Sequence, residues 1–419
     1  MDPATNETWA EVQMTPNPLT TMSTAVALVA CSILALILGI RLARSPQPAS
    51  EPLEITQVQL GLPLYIYPIK GLGGCAVQRA HLGKYGLVGD RTFSLQKVIR
   101  DKTDPSKKTY ETMFIGYYLY MALFRASIEH DGRQENATDG EVIVKWHGRG
   151  TEHGKSINEA NITTPDEIRF ALSPSTEGLE VIDTSLHVSQ AKAYDMGDEL
   201  ATWFSERLGV EARLAYIGDG SRPVLGSLAP NSKAGLQKAR LARRLRSFVP
   251  FARFPEERLV FNDLAHYLVV TEESTAEVSS RLEGDLTMDV RKFRPNLVVK
   301  GASGPFAEDF WGELTFDGGV QMPLTANCYR CQSITVDYET GKTASDDRGL
   351  VWKKLNKDRR VDKGAKYSPV FGRYGYCFGS AVGEILSVGQ KARISRVNSD
   401  RTTFDWPHLT TFGINQKKN

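Results

Sequence analysis

Residues Asn327-Cys328-Tyr329-Arg330-Cys331-Gln332 hold two thiols separated by two positions, one of them an arginine. A guanidinium beside a thiol favours the thiolate, the form that binds soft metals and carries sulfur. The alternating run Ser333-Ile334-Thr335-Val336-Asp337 comes next and predicts a strand, with the thiols at its mouth. A zinc knuckle would need two further ligands at matching spacing, but Cys31, Cys75 and Cys377 are scattered singly and no histidine pair lies nearby. A thioredoxin-like pair opens a helix after a strand, whereas here a second strand is expected. Two ordinary buried cysteines remain the plain alternative on spacing alone.

Arg294 and Asn296 flank the apolar run Leu297-Val298-Val299. An arginine beside a buried strand requires an anion, and a bound ligand and a protein carboxylate both satisfy that need. Gly71-Leu72-Gly73-Gly74-Cys75-Ala76 mimics a dinucleotide-binding turn, with Asp90 at the distance of a ribose-binding acid. The residues that follow, 77–86, alternate with period two and carry glycines where that fold requires a helix, so a nicotinamide site is set aside. His147 and His153 lie in a polar Gly-rich loop, where solvation is the default and metal ligation the sharper alternative. The cations Lys233, Lys238, Arg240, Arg243, Arg244 and Arg246 are read as a solvated helix face, with an anionic bilayer or an acidic donor protein as functional options. The rest of the chain has no basic excess that would suit nucleic acid.

The elements that must position these residues are mostly strands. Leu64–Ile69, Arg91–Leu95, Glu141–Trp146 and Glu167–Leu172 are short apolar or alternating runs broken by Gly, Pro and Asp. One helix is expected over Asp198–Leu208, with Leu200, Trp203, Phe204 and Leu208 on its core face and Gly209 closing it. A second, short helix is expected to open on the capping box Ser274-Thr275-Ala276-Glu277 and to end near Gly284.

The chain has 419 residues, 41% hydrophobic and 24% charged, with a net charge of +2, enough for two or more domains. Five cysteines without a paired framework suit a reducing compartment, where the sequons at Asn6, Asn136 and Asn161 would have no use. Residues 1–21 read as a polar tail. The uncharged residues 22–40 read as a single transmembrane helix, and 41–55 as a Pro-rich linker. A signal peptide would begin basic, whereas this segment is preceded by Asp2, Glu7 and Glu11 and followed by Arg41 and Arg44, which places the C-terminal body on the cytosolic side.

Several stretches, taken in order, resemble the MOSC domain, the module shared by molybdenum cofactor sulfurases and mitochondrial amidoxime-reducing components. They are Tyr67-Pro68-Ile69-Lys70-Gly71, Asp90-Arg91, Phe261-Asn262-Asp263, Lys292 to Asn296, Phe306 to Trp311, Asn327 to Gln332 and Ser368 to Tyr374. The likeness is strongest to the amidoxime-reducing components, runs from about Leu64 to about Lys391, and is weakest over 97–165. It implies a mixed, β-rich (α+β) fold with few helices: an N-terminal β-barrel module over 56–220, a connecting segment 221–235, a MOSC β-barrel domain over 236–393 (basic stretch 236–258, core 259–393) and a tail 394–419.

The same resemblance implies a molybdenum cofactor (molybdopterin) ligated by the second thiol, Cys331, as catalytic residue and metal ligand. Lys70, Gly71, Arg91, Asn262, Asp263, Arg294, Asn296, Tyr329, Arg330 and Tyr374 would contact that cofactor, with Arg330 lowering the thiol's pKa and Cys328 as neighbouring structure. Gly71 stands where the family carries Ser, which removes a hydroxyl contact. The implied activity is reduction of N-hydroxylated compounds such as amidoximes and hydroxylamines at a mitochondrial outer membrane. The chain has no haem-attachment, flavin or iron–sulfur motif, so electrons would come from a b-type cytochrome and its NADH-dependent flavin reductase. The alternative is a sulfur carrier or cofactor-binding protein without reductase activity. Sulfurases carry a large pyridoxal-phosphate domain ahead of the module, and no domain of that size precedes it here.

Overall fold

The computed structural model describes residues 53–55, 64–130, 138–232, 257–407, 409–410 and 413–414. No helix among them is long and apolar enough to cross a membrane. The expected transmembrane helix at 22–40 and most of the basic stretch lie outside the described residues.

Mixed, β-rich architecture with few helices is what the described residues show. Their largest sheet has nine strands, paired in the order Leu53–Ile55, Lys391–Val397, Trp311–Phe316, Gln321–Tyr329, Val370–Gly375, Tyr267–Thr271, Leu297–Lys300, Leu64–Ile66 and Cys75–Val77. The first of these also pairs with Leu297–Lys300, Glu54 opposite Lys300, so the pairings return on themselves through seven strands. Tyr267–Thr271 and Val370–Gly375 are buried along their whole length; the first is a nearly unbroken apolar run, and the second also buries Arg373, which donates to the Asn327 side chain and to the Trp311 and Leu324 carbonyls. Tyr267–Thr271 runs parallel to Leu297–Lys300, and the helix Glu272–Ser280 supplies the crossover that a parallel pair requires.

Leu64–Ile66 and Cys75–Val77, expected in the N-terminal module, are thus built into the sheet of the C-terminal half. The remaining N-terminal strands form open sheets and no closed barrel. Val181–Leu186, Ser189–Asp195, Ala212–Tyr216, Phe93–Arg100 and Ile69–Lys70 lie side by side, with Lys108–Thr112 on Phe93–Arg100. The edge strand Val181–Leu186 meets Lys108–Thr112 through the Thr112 hydroxyl, which donates to the Ser185 carbonyl at 3.0 Å, but no ladder pairs the two strands. Ile69–Lys70, at the other edge, is two residues long and pairs parallel to Phe93–Arg100, Lys70 opposite Ser94. The helix Asp198–Leu208 forms as expected, buries Leu200, Trp203, Phe204 and Leu208, and ends on Gly209 at φ 69°.

Two local expectations are corrected. The helix after Tyr267–Thr271 spans Glu272–Ser280 and is capped by Thr271, whose Oγ1 accepts from the Ser274 amide at 3.1 Å. Ser274 cannot cap because its hydroxyl donates to the buried Glu308 carboxylate at 2.8 Å. After the cysteine pair comes a 3-10 turn, Gln332–Thr335, where a strand was expected. Ile334 and Val336 alternate because they enter two different hydrophobic clusters, not because they share one face of a sheet.

Candidate functional site

The chain passes from one sheet to the other across Tyr67-Pro68, and the residues that follow form a cationic cluster. Lys70 is buried and ion-paired with Asp263. Burial pushes the Asp263 carboxyl up, but Lys70 and His187 outweigh it and hold the group well below the ordinary carboxylate range. Burial likewise lowers the Lys70 ammonium, with Asp263 opposing. Gly71 has φ +87°, and a Cβ there would lie 2.6 Å from the Met121 methyl. The serine of the resembling family therefore has neither the backbone angle nor the room it needs.

Arg91 donates to Asp90 at 2.5 Å, to the Asn296 amide oxygen at 3.1 Å and to the Arg294 carbonyl at 3.1 Å. Asp90 in turn accepts the Tyr67 amide at 2.9 Å. The Arg91 and Arg294 guanidinium carbons lie 4.7 and 4.4 Å from the centre of the Tyr67 ring, so one aromatic side chain serves two cations. Arg294 sits at φ 58°, just past the 3-10 turn Val290–Phe293, and donates Nη1 to the Leu72 carbonyl at 2.6 Å. Its Nη2 is buried and makes no hydrogen bond, and among the described residues no carboxylate pairs with it. Of the two partners open to Arg294, the protein carboxylate is therefore not found. Burial and the neighbouring Arg91 charge lower its pKa. Lys70 and Arg91 are each matched by a carboxylate, whereas Arg294 is not.

The thiols are arranged differently from the sequence reading. The Arg330 guanidinium hydrogen-bonds Cys328, with Nη1 2.9 Å from its sulfur, and acts on Cys331 only through its charge. Residues two apart along a strand share a face, and Gln321–Tyr329 ends just before Arg330, so 328 and 330 point together. The Tyr374 hydroxyl shares the same sulfur. Burial pushes the Cys328 thiol up, while Arg330 and Tyr374 act against that shift. Cys331 lies beyond the strand end, exposed, with its sulfur 3.0 Å from the Ser333 hydroxyl.

Residues 114–116 link the cations to this sulfur. The Phe114 ring centre is 5.3 Å from Lys70 Nζ, and a Cβ on Gly71 would lie 3.8 Å from the Ile115 amide. A Cβ on Gly116 would lie 3.7 Å from Cys331 Sγ. Arg330 Nη2 donates to the Phe293 carbonyl at 2.8 Å, next to Arg294. Phe114 to Gly116 and Arg330 thus form a run of neighbouring residues between the cations and the Cys331 thiol.

Other expected contacts are used internally. Asn262 is buried, its side chain accepting the Val260 amide at 3.2 Å and donating to the His266 carbonyl at 3.5 Å within its own loop. Asn296 ties Arg91 to the Leu268 amide and the Tyr65 carbonyl, making it a bracket for the arginine. Tyr374 is occupied by Cys328, and Tyr329 packs edge-on against Phe404 at 4.8 Å. His153 is not in a flexible loop. It lies in the short helix Glu152–Ser156, stacks on Tyr120 at 4.1 Å and bonds the Arg207 carbonyl at 2.7 Å. His147 is exposed, and no metal-holding group of three or more His, Cys, Asp or Glu occurs among the described residues.

Sequence reasoning missed Arg222, His187 and Phe114. Arg222 is fully buried and donates to the Asn262 and Asp263 carbonyls, which fixes the loop that presents Asp263. Its own signal is slight, an arginine before a proline. His187 was detectable as half of a two-residue gap between two alternating runs.

Residues 256–393 match the family model for the MOSC domain. The chain is 25% identical to mitochondrial amidoxime-reducing component 1 of Homo sapiens over 83% of its own length and 88% of that protein. It is 25% identical to the Mus musculus protein of the same name, over 84% and 87%. Against the molybdenum cofactor sulfurase of Oryza sativa subsp. japonica it is 26% identical over 68% of its own length but only 29% of the sulfurase. Residues 256–393 thus carry the MOSC match, and the chain as a whole is similar to mitochondrial amidoxime-reducing components over most of its length.

Proposed function

We propose that this chain is a molybdenum-cofactor oxidoreductase that reduces N-hydroxylated compounds such as amidoximes and hydroxylamines. The observation that carries the proposal is the buried, unpartnered Arg294 Nη2 in a cationic cluster joined by residues 114–116 to the exposed Cys331 thiol. Such a donor set fits an anionic pterin with a metal at one end. Lys70, Arg91 and Arg294 would grip the anion, the Gly71 amide would approach it closely, and Cys331 would supply a soft thiolate to the metal. With no cluster of protein ligands among the described residues, a metal at Cys331 would take its other ligands from its cofactor.

When bound, the cofactor would supply two-electron redox chemistry at the site next to the Cys331 thiol. The chain's own residues bind and orient it. Asp90 and Asn296 fix Arg91, Arg222 fixes the Asp263 loop, and Phe114 to Gly116 run between Lys70 and the sulfur. Electrons come from a b-type cytochrome served by an NADH-dependent flavin reductase. The segment 22–40 anchors the cytosol-facing body in the mitochondrial outer membrane beside those donors, where confinement raises encounter rates. The mitochondrial names of the relatives support that location.

The test is metal analysis with turnover. The chain from Glu51 onward should carry near-stoichiometric molybdenum, and Cys331→Ala should abolish benzamidoxime reduction with a reconstituted donor chain. Protein that binds molybdenum but turns over with no donor would instead make Cys331 a sulfur or cofactor carrier.

A further inference from the structure

The strands Val181–Leu186 and Ser189–Asp195 are joined by two residues, His187 at φ 52° and Val188 at φ 67°. Two-residue hairpin turns with positive φ at both positions are usually filled by Asn-Gly or Asp-Gly, and a β-branched valine there is rare. The turn is held in this shape from both sides. The Trp406 indole donates to the His187 carbonyl at 2.8 Å, and Ser189 Oγ donates to the Pro223 carbonyl at 2.6 Å.

The strained turn sends one side chain into the site. His187 Nε2 lies 3.2 Å from Asp263 Oδ1, the same oxygen that pairs with Lys70. The imidazole ring centre is 5.3 Å from that of Phe114, the first residue of the link to Cys331. His187 remains 16% exposed and Asp263 46% exposed, so the pair can exchange protons with water. Charged groups acting on the imidazole are Asp263, which favours the imidazolium, and Lys70 and Arg222, which oppose it.

We infer that His187, held by Asp263, delivers a proton consumed at this site. The inference rests on the N-hydroxy reductase reading. Reduction of an N-hydroxy group by two electrons and two protons gives the corresponding N–H compound and water. The N–O bond breaks, one N–H and one O–H bond form, the nitrogen is reduced, and two equivalents of an external haem-protein donor are each oxidised by one electron. His187 gives one proton to the departing oxygen and is recharged from water, and the second proton comes from solvent. Burial sets the imidazolium below the ordinary histidine value, with Asp263 raising it and Lys70 and Arg222 lowering it again. Turnover should therefore fall as pH rises through a point below about 6.5.

The experiment uses the full chain loaded with cofactor and compares wild type with His187→Asn, which tolerates the left-handed backbone but does not titrate, and with His187→Gln. Both variants should keep wild-type molybdenum content and KM, lose at least about tenfold in kcat and lose the acidic dependence, and His187→Ala should regain rate with added imidazole. Wild-type kcat and pH profile in both His187→Asn and His187→Gln would overturn the inference, as would a loss of rate that follows molybdenum content alone. Independently of turnover, the His187 imidazole nitrogens followed by NMR should titrate at lower pH in Asp263→Asn, and an unchanged titration would overturn the pairing. A wild type that holds molybdenum but reduces no N-hydroxy compound would sink the reductase reading itself.

Discussion

Arg91 and Arg294 flank the same tyrosine ring, yet their removal should have opposite signatures. Arg91→Met would strand Asp90, whose side chain is fully buried, so it should destabilise the fold by about 3 to 5 kcal/mol. Arg294→Met strands no carboxylate, and its melting temperature should fall far less while molybdenum content drops steeply. Thermal melts and metal analysis of the two variants together check both statements. Gly71→Ser, which restores the residue of the resembling family, should destabilise by at least about 1 to 2 kcal/mol through its left-handed backbone alone. Pairing it with Met121→Ala should recover the part due to the clash, as read by denaturant melts. Of the residues involved, Arg294 and the thiol pair stand out in the sequence, because a charge beside an apolar strand and thiols beside an arginine are local patterns, whereas Lys70, Arg91 and the choice of Cys331 come from the family resemblance. The partner of Arg330 was not legible, since it depends on where a strand ends, and strand ends are fixed by packing. Arg222 and His187 reach the site from distant positions that no local pattern connects.

At the scale of elements, Thr271, Ser274 and Glu308 tie the start of the helix Glu272–Ser280 to the 3-10 turn Ala307–Phe310. Burial pushes the Glu308 carboxyl up to about 7, with Ser274 opposing. A folded-state value raised above the unfolded one means that the native protein holds the proton more tightly. The stabilisation is present below about pH 4.5 and is lost as pH rises toward 7. Glu308→Gln should therefore flatten the dependence of stability on pH between those values, measured by denaturant midpoints across that range. Strands and the helix Asp198–Leu208 were readable because period two and period 3.6 persist over their lengths. The 3-10 turn Gln332–Thr335 was not, because four residues cannot distinguish a strand facing one core from a turn feeding two.

Across the whole molecule, the two halves share their largest sheet. Leu64–Ile66 pairs with Leu297–Lys300, and Asn296 grips the Tyr65 carbonyl. Residues 256–393 alone would lack that neighbouring strand along with Lys70 and Arg91. The fragment should show little sheet signal by circular dichroism and bind no molybdenum, whereas the chain from Glu51 should unfold in a single transition by both fluorescence and circular dichroism. A stably folded, metal-binding fragment would refute the interdependence. The division near 221 follows from the family resemblance, and composition does not register hydrogen bonds between strands more than two hundred positions apart.

Tyr67 keeps two like charges close together with only one buried carboxylate between them. Their mutual repulsion is lessened by whatever anion settles there, so uptake of an anionic ligand should raise the melting temperature. Because screening ions compete for the same relief, that gain should shrink as salt is added.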